Sequence, residues 1–184
     1  NEPNGILTGS RWKGGIYGGA GGANHFTMEG CTVQKCGYLG MWIKNATHLT
    51  FNNNLFLRNG ESQNDFHNIF LNTNEVGGMS NIIFTNNIVS NAGATGLLIS
   101  GNKKIHYIKN VVISGNTFNN NTDAGLYLQR TDSAKVYNNT FDGNGDLADP
   151  GEDYAIAVSG CDNLDIYQNT ITNQLNNDAI QVYS

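Results

Sequence analysis

Hydrophobic and polar positions recur along the chain in a two-part pattern. The first part reads apolar, two residues, Asn, one residue, apolar, two residues, polar, and it occurs six times. The Asn position is held in order by Cys31, Asn54, Asn87, Asn116, Asn139 and Asn169. In the second part, apolar residues alternate with outward positions, as in Ile69-Phe70-Leu71. Alternation over so few residues predicts short, half-buried strands.

The spacing of this repeat predicts the architecture. Successive Asn positions lie 23, 33, 29, 23 and 30 residues apart, which is too short and too variable for paired helices. Such spacing favours a coil of short strands joined by loops of different length, with each turn about 4.8 Å above the last. We therefore predict an all-β fold, a parallel β-solenoid of about six coils over residues 25–184.

The two ends of the chain differ from the repeat. Residues 1–24 are rich in Gly and predict an N-terminal cap or a degenerate first rung. The sequence ends at Ser184, directly after a predicted strand. A strand edge left open there favours a longer solenoid, or another chain that covers the edge.

The repeated Asn is expected at a tight corner of each coil. Asn tolerates the left-handed backbone region, and its amide can hydrogen-bond to the amides of the coils above and below. The sequence therefore predicts an asparagine ladder. Cys31 breaks this ladder at the first rung, and we interpret its thiol as a packing group.

Composition and charge exclude several classes of protein. The 184 residues include 30 Asn, 23 Gly, 8 Phe and 8 Tyr but only 2 Pro, and 14% are charged, which does not fit a disordered chain. No apolar run has membrane-spanning length, and no basic block supports nucleic-acid binding. Three cysteines without metal-type spacing imply no disulfide framework.

Outward positions of the second-part strands form two predicted columns along one face. One contains Trp42, Phe70, Leu98, Tyr127, Ala157 and Gln181, and its neighbour contains Lys44, Asn72, Ser100, Gln129, Ser159 and Tyr183. Aromatic rings suit the C–H face of a sugar, and the polar groups suit its hydroxyls. Trp42, Phe70 and Tyr127 are therefore candidate substrate-binding residues. The alternative is an aromatic stack that only stabilises adjacent strands.

Two runs carry a resemblance to a known group of proteins. Asn-Val-Val-Ile-Ser-Gly-Asn-Thr-Phe (110–118) and Gly-Leu-Tyr-Leu (125–128) resemble right-handed parallel β-helix proteins of the pectate-lyase-like superfamily. The resemblance implies a right-handed parallel β-helix and an extracellular or cell-surface location. It leaves function open, because this superfamily includes lyases, epimerases, hydrolases, phage spikes and binding proteins.

A candidate catalytic group precedes the second of these strands. Asp65-Phe66-His67-Asn68 resembles the Asp-Pro-His-acid motif of mannuronan epimerases, although two of its four positions differ. The resemblance implies His67 as base or acid and Asp65 as its orienting partner. Chemistry on a uronic acid also requires a group that neutralises the carboxylate, and Lys44 and Arg130 have the right charge. The alternative is a surface His on a loop.

Carboxylates precede the later strands of the same face. Asp123, Asp153 and Asp178 each lie two or three residues before a predicted strand. The runs around the last two resemble the strand starts of polygalacturonases, but the Gly-His-Gly and Arg-x-Lys elements of that family are missing. We interpret the three acids as substrate-binding groups, turn residues or ion ligands.

An acidic run suggests calcium as a cofactor. Oxygen-bearing residues alternate from Asp142, and Asp153 occupies the twelfth place, as in a calcium loop. Leu147 at the sixth place and the lack of predicted flanking helices exclude an EF-hand. The ligands of a looser Ca²⁺ site would be Asp142, Asp146, Asp149 and Asp153. An acidic surface insertion is the alternative.

Three functions are compatible with these features. The first is a secreted polysaccharide lyase or epimerase that acts on an acidic glycan along the second-strand face. The second is a non-catalytic carbohydrate-binding β-helix module that grips a polysaccharide with its aromatic residues. The third is an architectural spike or surface solenoid. Convergence of charged groups near His67 would favour the enzyme, whereas aromatic residues without a base and an acid would favour the binding module.

Overall fold

The structure is a computed structural model that describes residues 6–8, 14–18, 23–60, 66–73, 77–102, 108–145, 153–174 and 178–183. These residues form short strands and turns. The strands are β1 (Ile6–Thr8), β2 (Ile16–Gly18), β3 (Thr27–Glu29), β4 (Thr32–Gln34), β5 (Met41–Lys44), β6 (Thr47–Asn52), β7 (Leu55–Leu57), β8 (Ile69–Asn72), β9 (Met79–Thr85), β10 (Ile88–Ser90), β11 (Leu97–Ser100), β12 (Ile108–Ser114), β13 (Thr117–Asn119), β14 (Leu126–Gln129), β15 (Thr131–Tyr137), β16 (Thr140–Asp142), β17 (Ile156–Ser159), β18 (Asp162–Tyr167), β19 (Thr170–Thr172) and β20 (Ile180–Tyr183). Within these ranges there is no helix long and apolar enough to cross a membrane.

The strands assemble into three parallel sheets. Sheet A has the order β1-β4-β7-β10-β13-β16-β19, sheet B has β2-β5-β8-β11-β14-β17-β20, and sheet C has β18-β15-β12-β9-β6-β3. Each strand pairs with the strand three places away in the chain, so one coil contributes one strand to every sheet. This arrangement confirms the predicted parallel β-solenoid of about six coils.

The core lies between the three sheets and consists of stacked apolar side chains. Large residues recur at the same inward position of successive coils, as the period-two pattern predicts. Phe118 and Phe141 stack with ring centroids 4.9 Å apart and planes within 8°. Phe51 and Phe84 pack at 5.8 Å, and all four rings are buried. Each buried Phe contributes about 1.5–3 kcal/mol of hydrophobic stabilisation.

The asparagine ladder is confirmed at the corner between sheets C and A. The backbone N–H and the side-chain amide of Asn54 both donate to Oδ1 of Asn87, at 2.9 and 3.0 Å. The same pair of bonds joins Asn87 to Asn116, then Asn139 and Asn169. Cys31 closes the first rung with its backbone N–H, which donates to Asn54.

The left-handed backbone conformation was predicted at the ladder Asn, and this prediction is wrong by one position. The left-handed residue is the one before it, as at Asn53 (φ 54°) and Asn138 (φ 54°). The preceding residue therefore makes the turn. The ladder Asn is left to direct its N–H and its amide along the solenoid axis, where both bond to the next coil.

Candidate functional site

The outer face of sheet B carries the two predicted columns in register. Trp42 pairs with Phe70, which pairs with Leu98, and Leu98 pairs with Tyr127. Lys44 pairs with Asn72 two residues further along the strands. Register along this face was predictable because the inward positions are uniformly apolar, which fixes the side of every residue between them.

Aromatic rings form a continuous row on the first coils of this face. Tyr17 meets Trp42 edge-on at 5.4 Å, and Trp42 lies nearly parallel to Phe70 at 5.9 Å. His67 meets Phe70 edge-on at 5.7 Å. Tyr17 is 65% exposed. Tyr17 was not among the predicted binding residues, because residues 1–24 were expected to form a cap or a degenerate first rung, although Ile16-Tyr17 repeats the alternation of Met41-Trp42.

Lys44 and Asn72 hold the indole of Trp42 from two directions. The Lys44 Nζ lies 3.7 Å from the centroid of the Trp42 ring, which is cation–π distance. The indole N–H of Trp42 donates to Oδ1 of Asn72 at 3.0 Å. A cation is therefore fixed on the aromatic row, where it could meet an anionic group of a ligand.

A second aromatic pair precedes the strands of this face. Tyr38 and Phe66 pack with ring centroids 3.9 Å apart, and Tyr38 is 41% exposed. Both lie three residues before a sheet B strand, β5 for Tyr38 and β8 for Phe66. That common spacing is the feature of the sequence that indicates the pair.

His67 lies beside this aromatic surface. The backbone N–H of Thr95 donates to its Nδ1 at 3.2 Å. Because an amide can only donate, Nδ1 is an acceptor here, and the proton of a neutral ring resides on Nε2. Asp65, the predicted orienting partner, lies outside the described residues.

Asn68, the last position of the motif that resembles epimerases, belongs to the core. Its side chain forms part of a second ladder, at the corner between sheets A and B. Asn59 donates to its Oδ1 at 2.8 Å, and its own amide donates to the carbonyl of Ser90 at 3.0 Å. Asn68 is fully buried and cannot replace the acid of that motif.

The predicted catalytic residues that the structure describes lie at different positions along and across sheet B. Lys44 lies at the end of β5 in register with Asn72, whereas His67 precedes β8. The length of β8 therefore separates His67 from the strand end at which Asn72 and Lys44 lie. Arg130 follows β14, three strands from β5 and thus about 14 Å along the axis. Its guanidinium donates to the carbonyl of Gly101 at 3.3 Å.

The three candidate acids lie on the later coils, away from the aromatic row. Asp123, Asp153 and Asp178 precede β14, β17 and β20, which are adjacent strands of sheet B. Asp123 is half-buried, Asp153 is 1% exposed and Asp178 is exposed. Tyr127 shares the outer face of β14 and is half-buried. The face thus has an aromatic part with Lys44 and an acidic part, with Leu98 of β11 between them.

The structure describes two of the four predicted calcium ligands, Asp142 and Asp153. Asp146 and Asp149 lie outside the described residues. The Oδ1 of Asp142 accepts hydrogen bonds from the Thr172 hydroxyl and the Asn173 amide, both at 2.7 Å, and these bonds lower its pKa. Among the residues that the structure describes, no group of three or more His, Cys, Asp or Glu is placed to hold a metal ion.

Comparison with known proteins agrees with the fold. A model of the right-handed beta helix region matches residues 1–104 and 62–184, which together span the chain. Neither a comparison with curated proteins nor one with solved structures found a match. On the family match, together with the three parallel sheets and their ladders, the chain belongs to the right-handed β-helix family.

Proposed function

We propose that this protein binds an acidic polysaccharide along the outer face of sheet B. The observation that carries the proposal is the row of Tyr17, Trp42 and Phe70 with the Lys44 ammonium 3.7 Å from the indole centroid. A polysaccharide ligand of this kind supports a location at the cell surface or outside the cell.

The chemistry of the row suits a sugar polymer. Aromatic rings offer apolar surface to the C–H face of a sugar. In the neighbouring column, Asn72, Ser100 and Gln129 present polar side chains in register on successive strands. Because each coil adds about 4.8 Å, a chain of sugars lying along the axis would meet aromatic and polar groups repeatedly.

Lys44 favours an anionic ligand over a neutral one. Its ammonium is held on Trp42 and lies in the polar column, in register with Asn72. A uronate carboxylate bound there would form a charge-assisted hydrogen bond with it. The ligand class is therefore a uronic acid polymer, such as alginate or pectate.

Binding without chemistry is supported better than catalysis. Proton abstraction from a uronate needs a base near the carbon and a cation at the carboxylate in one site. Here His67 and Lys44 lie near opposite ends of the sheet B strands. A lyase or epimerase centred on His67 is the second candidate, since that ring lies beside Phe70 on the same face.

Affinity electrophoresis in gels that contain alginate, pectate or the neutral glucan dextran tests the proposal. We expect retardation by the uronate polymers, and its loss in Trp42→Ala. Ile88→Ala is the matched control, because Ile88 is an exposed large apolar residue on sheet A. Equal mobility in all gels, or retention that Trp42→Ala leaves unchanged, would overturn the proposal.

The same samples decide between binding and catalysis. Ultraviolet absorbance detects the unsaturated product of a lyase, and proton exchange at the uronate C5 detects an epimerase. Product formation that His67→Gln abolishes would establish the second candidate. Retardation without product is the result that the binding module predicts.

A further inference from the structure

Sheet C carries a groove on its outer face that the proposed function does not use. A groove of about 440 Å³ lies across β12, β15 and β18. The side chains that line it include those of Asn110, Val112, Ser133, Lys135, Asn163 and Asp165. Because sheets B and C are separate faces of the solenoid, this groove is separate from the aromatic row.

The groove follows a bend that recurs in β9, β12, β15 and β18 of sheet C. Asn81, Asn110, Ser133 and Asn163 all have left-handed backbones, with φ between 50° and 60°. The strand register passes over these positions: Lys109 pairs with Asp132 and Val111 with Ala134, but Asn110 lies between these pairs. A left-handed residue in the middle of a strand turns the chain, so the repeated bend gives the outer face its hollow.

Charged groups of opposite sign stand next to each other in the groove. Lys135 and Asp165 are paired in register on β15 and β18, and both are exposed. Within the described part of the chain, neither makes a hydrogen bond or an ion pair. Val112 precedes Lys135 in the same column and gives the groove an apolar surface. The groove thus offers a donor, an acceptor and a neutral net charge.

A pair of tyrosine rings and an Asn amide lie beside these charged groups. Two residues beyond Lys135, the rings of Tyr137 and Tyr167 stack at 5.0 Å with planes within 4°, and Tyr167 is 43% exposed. On the other side, the Asn163 amide is held by a hydrogen bond of 2.9 Å to Asp132. Its position in the groove is therefore fixed.

We propose that this groove binds a neutral saccharide. Adjacent sugar hydroxyls need donors and acceptors side by side, which Lys135, Asp165 and Asn163 supply, and the tyrosine pair offers a surface for the C–H groups. Net neutrality in the groove favours an uncharged sugar, in contrast to the Lys44 site. This inference does not depend on polysaccharide binding at sheet B.

Isothermal titration calorimetry with hexasaccharides from cellulose, xylan and mannan tests the inference. We expect one of them to bind, and expect Asp165→Ala to weaken the affinity about tenfold through loss of a charged hydrogen bond. Tyr167→Ala should weaken the same ligand. Asp162→Ala, which removes an exposed carboxylate of β18 outside the groove lining, and Trp42→Ala are the controls and should bind normally.

Three results would overturn the inference. The first is no heat with any of the three hexasaccharides. The second is binding that Asp165→Ala and Tyr167→Ala leave unchanged while Trp42→Ala abolishes it, because the sugar would then occupy sheet B. Saturation by a zwitterionic tetrapeptide, and by no saccharide, would also contradict it. Far-ultraviolet circular dichroism confirms that each variant is folded.

Discussion

The side chain of Asn68 occupies the place in the second ladder where Ala92 has no amide. Asn59 donates to Asn68 at 2.8 Å, and Asn68 reaches Asn121 at 3.4 Å, so the ladder continues across the coil that contains Ala92. Asn68 stands at the position that Gly40 and Gly96 hold on neighbouring coils, directly before a sheet B strand. His67 is therefore the chain neighbour of a residue, Asn68, that is buried and hydrogen-bonded in this ladder.

Variants at position 68 should test whether Asn68 takes the place of the amide that is missing at Ala92. Asn68→Gly should lower the free energy of unfolding by about 1–3 kcal/mol, because the donors of Asn59 lose their acceptor. Adding Ala92→Asn should restore most of the loss, since it recreates the regular rung. Chemical denaturation of the two single variants and the double variant gives the coupling energy. Additive effects would contradict the account.

The glycine before β5 is required by the same ladder. A Cβ on Gly40 would lie 2.6 Å from the Asn59 amide nitrogen and 2.6 Å from the Asn68 carbonyl oxygen. Gly40→Ala should therefore cost about 1–3 kcal/mol through overpacking. At Gly78 a Cβ would meet nothing within 4 Å, so Gly78→Ala is the matched control. Equal unfolding midpoints for the two variants would show that the ladder can shift to make room.

Acid should loosen the last coil before the others. The Asn163 amide lowers the pKa of Asp132, and the Thr172 hydroxyl lowers that of Asp142, below the ordinary 3.8. A carboxyl with a lowered folded-state pKa stabilises the fold above its unfolded pKa and loses that contribution as pH falls through the folded value. Stability from these bonds is therefore complete near neutral pH and lost below pH 3.8.

Hydrogen exchange, corrected for intrinsic rates, measures this effect strand by strand. Amides of β18 and β19 should lose protection on going from about pH 6 to about pH 3 more than those of β9 and β12. Asp142→Asn should reduce the difference at β19. Uniform loss across the solenoid would contradict the assignment to these two carboxylates.

The charge of Lys44 should set the preference for acidic glycans. Lys44→Gln should weaken binding of an oligouronate about tenfold at low salt and flatten its salt dependence. Lys109→Gln is the control, because Lys109 is an exposed cation on sheet C. Calorimetry at two salt concentrations measures both effects. A loss of the same size with Lys109→Gln would show that only net charge matters.

The sequence predicted the fold and the outward columns because the register of a solenoid follows from repetition. Trp42 and Phe70 could be placed on one face because Met41 and Ile69 recur at the same inward position. The role of Asn68 could not be predicted, because it depends on an absent amide at Ala92, 24 positions along the chain. Tyr17 was missed because it lies in the segment that was expected to be a cap or a degenerate first rung. Tyr38 was missed because the spacing of residues before the strands was not compared between coils.

The sequence alone could not show whether the candidate catalytic residues come together in one site, as an enzyme requires. His67, Lys44 and Arg130 all belong to sheet B or its borders, so the repeat alone places them on one side. Their separation follows from strand direction and coil number, which distribute them along and across the sheet. The repeat determines which side chains share a face. The distances between them depend on how the coils stack, which the structure shows.

Trp42 fluorescence during an oligouronate titration tests the central claim most directly. In a Trp12→Phe variant, Trp42 is the single tryptophan and lies in the proposed row. We predict a saturable change in its emission, and loss of that change with Phe70→Ala. Binding of the oligouronate, shown by calorimetry, without any change in Trp42 emission would place the ligand elsewhere and contradict the account.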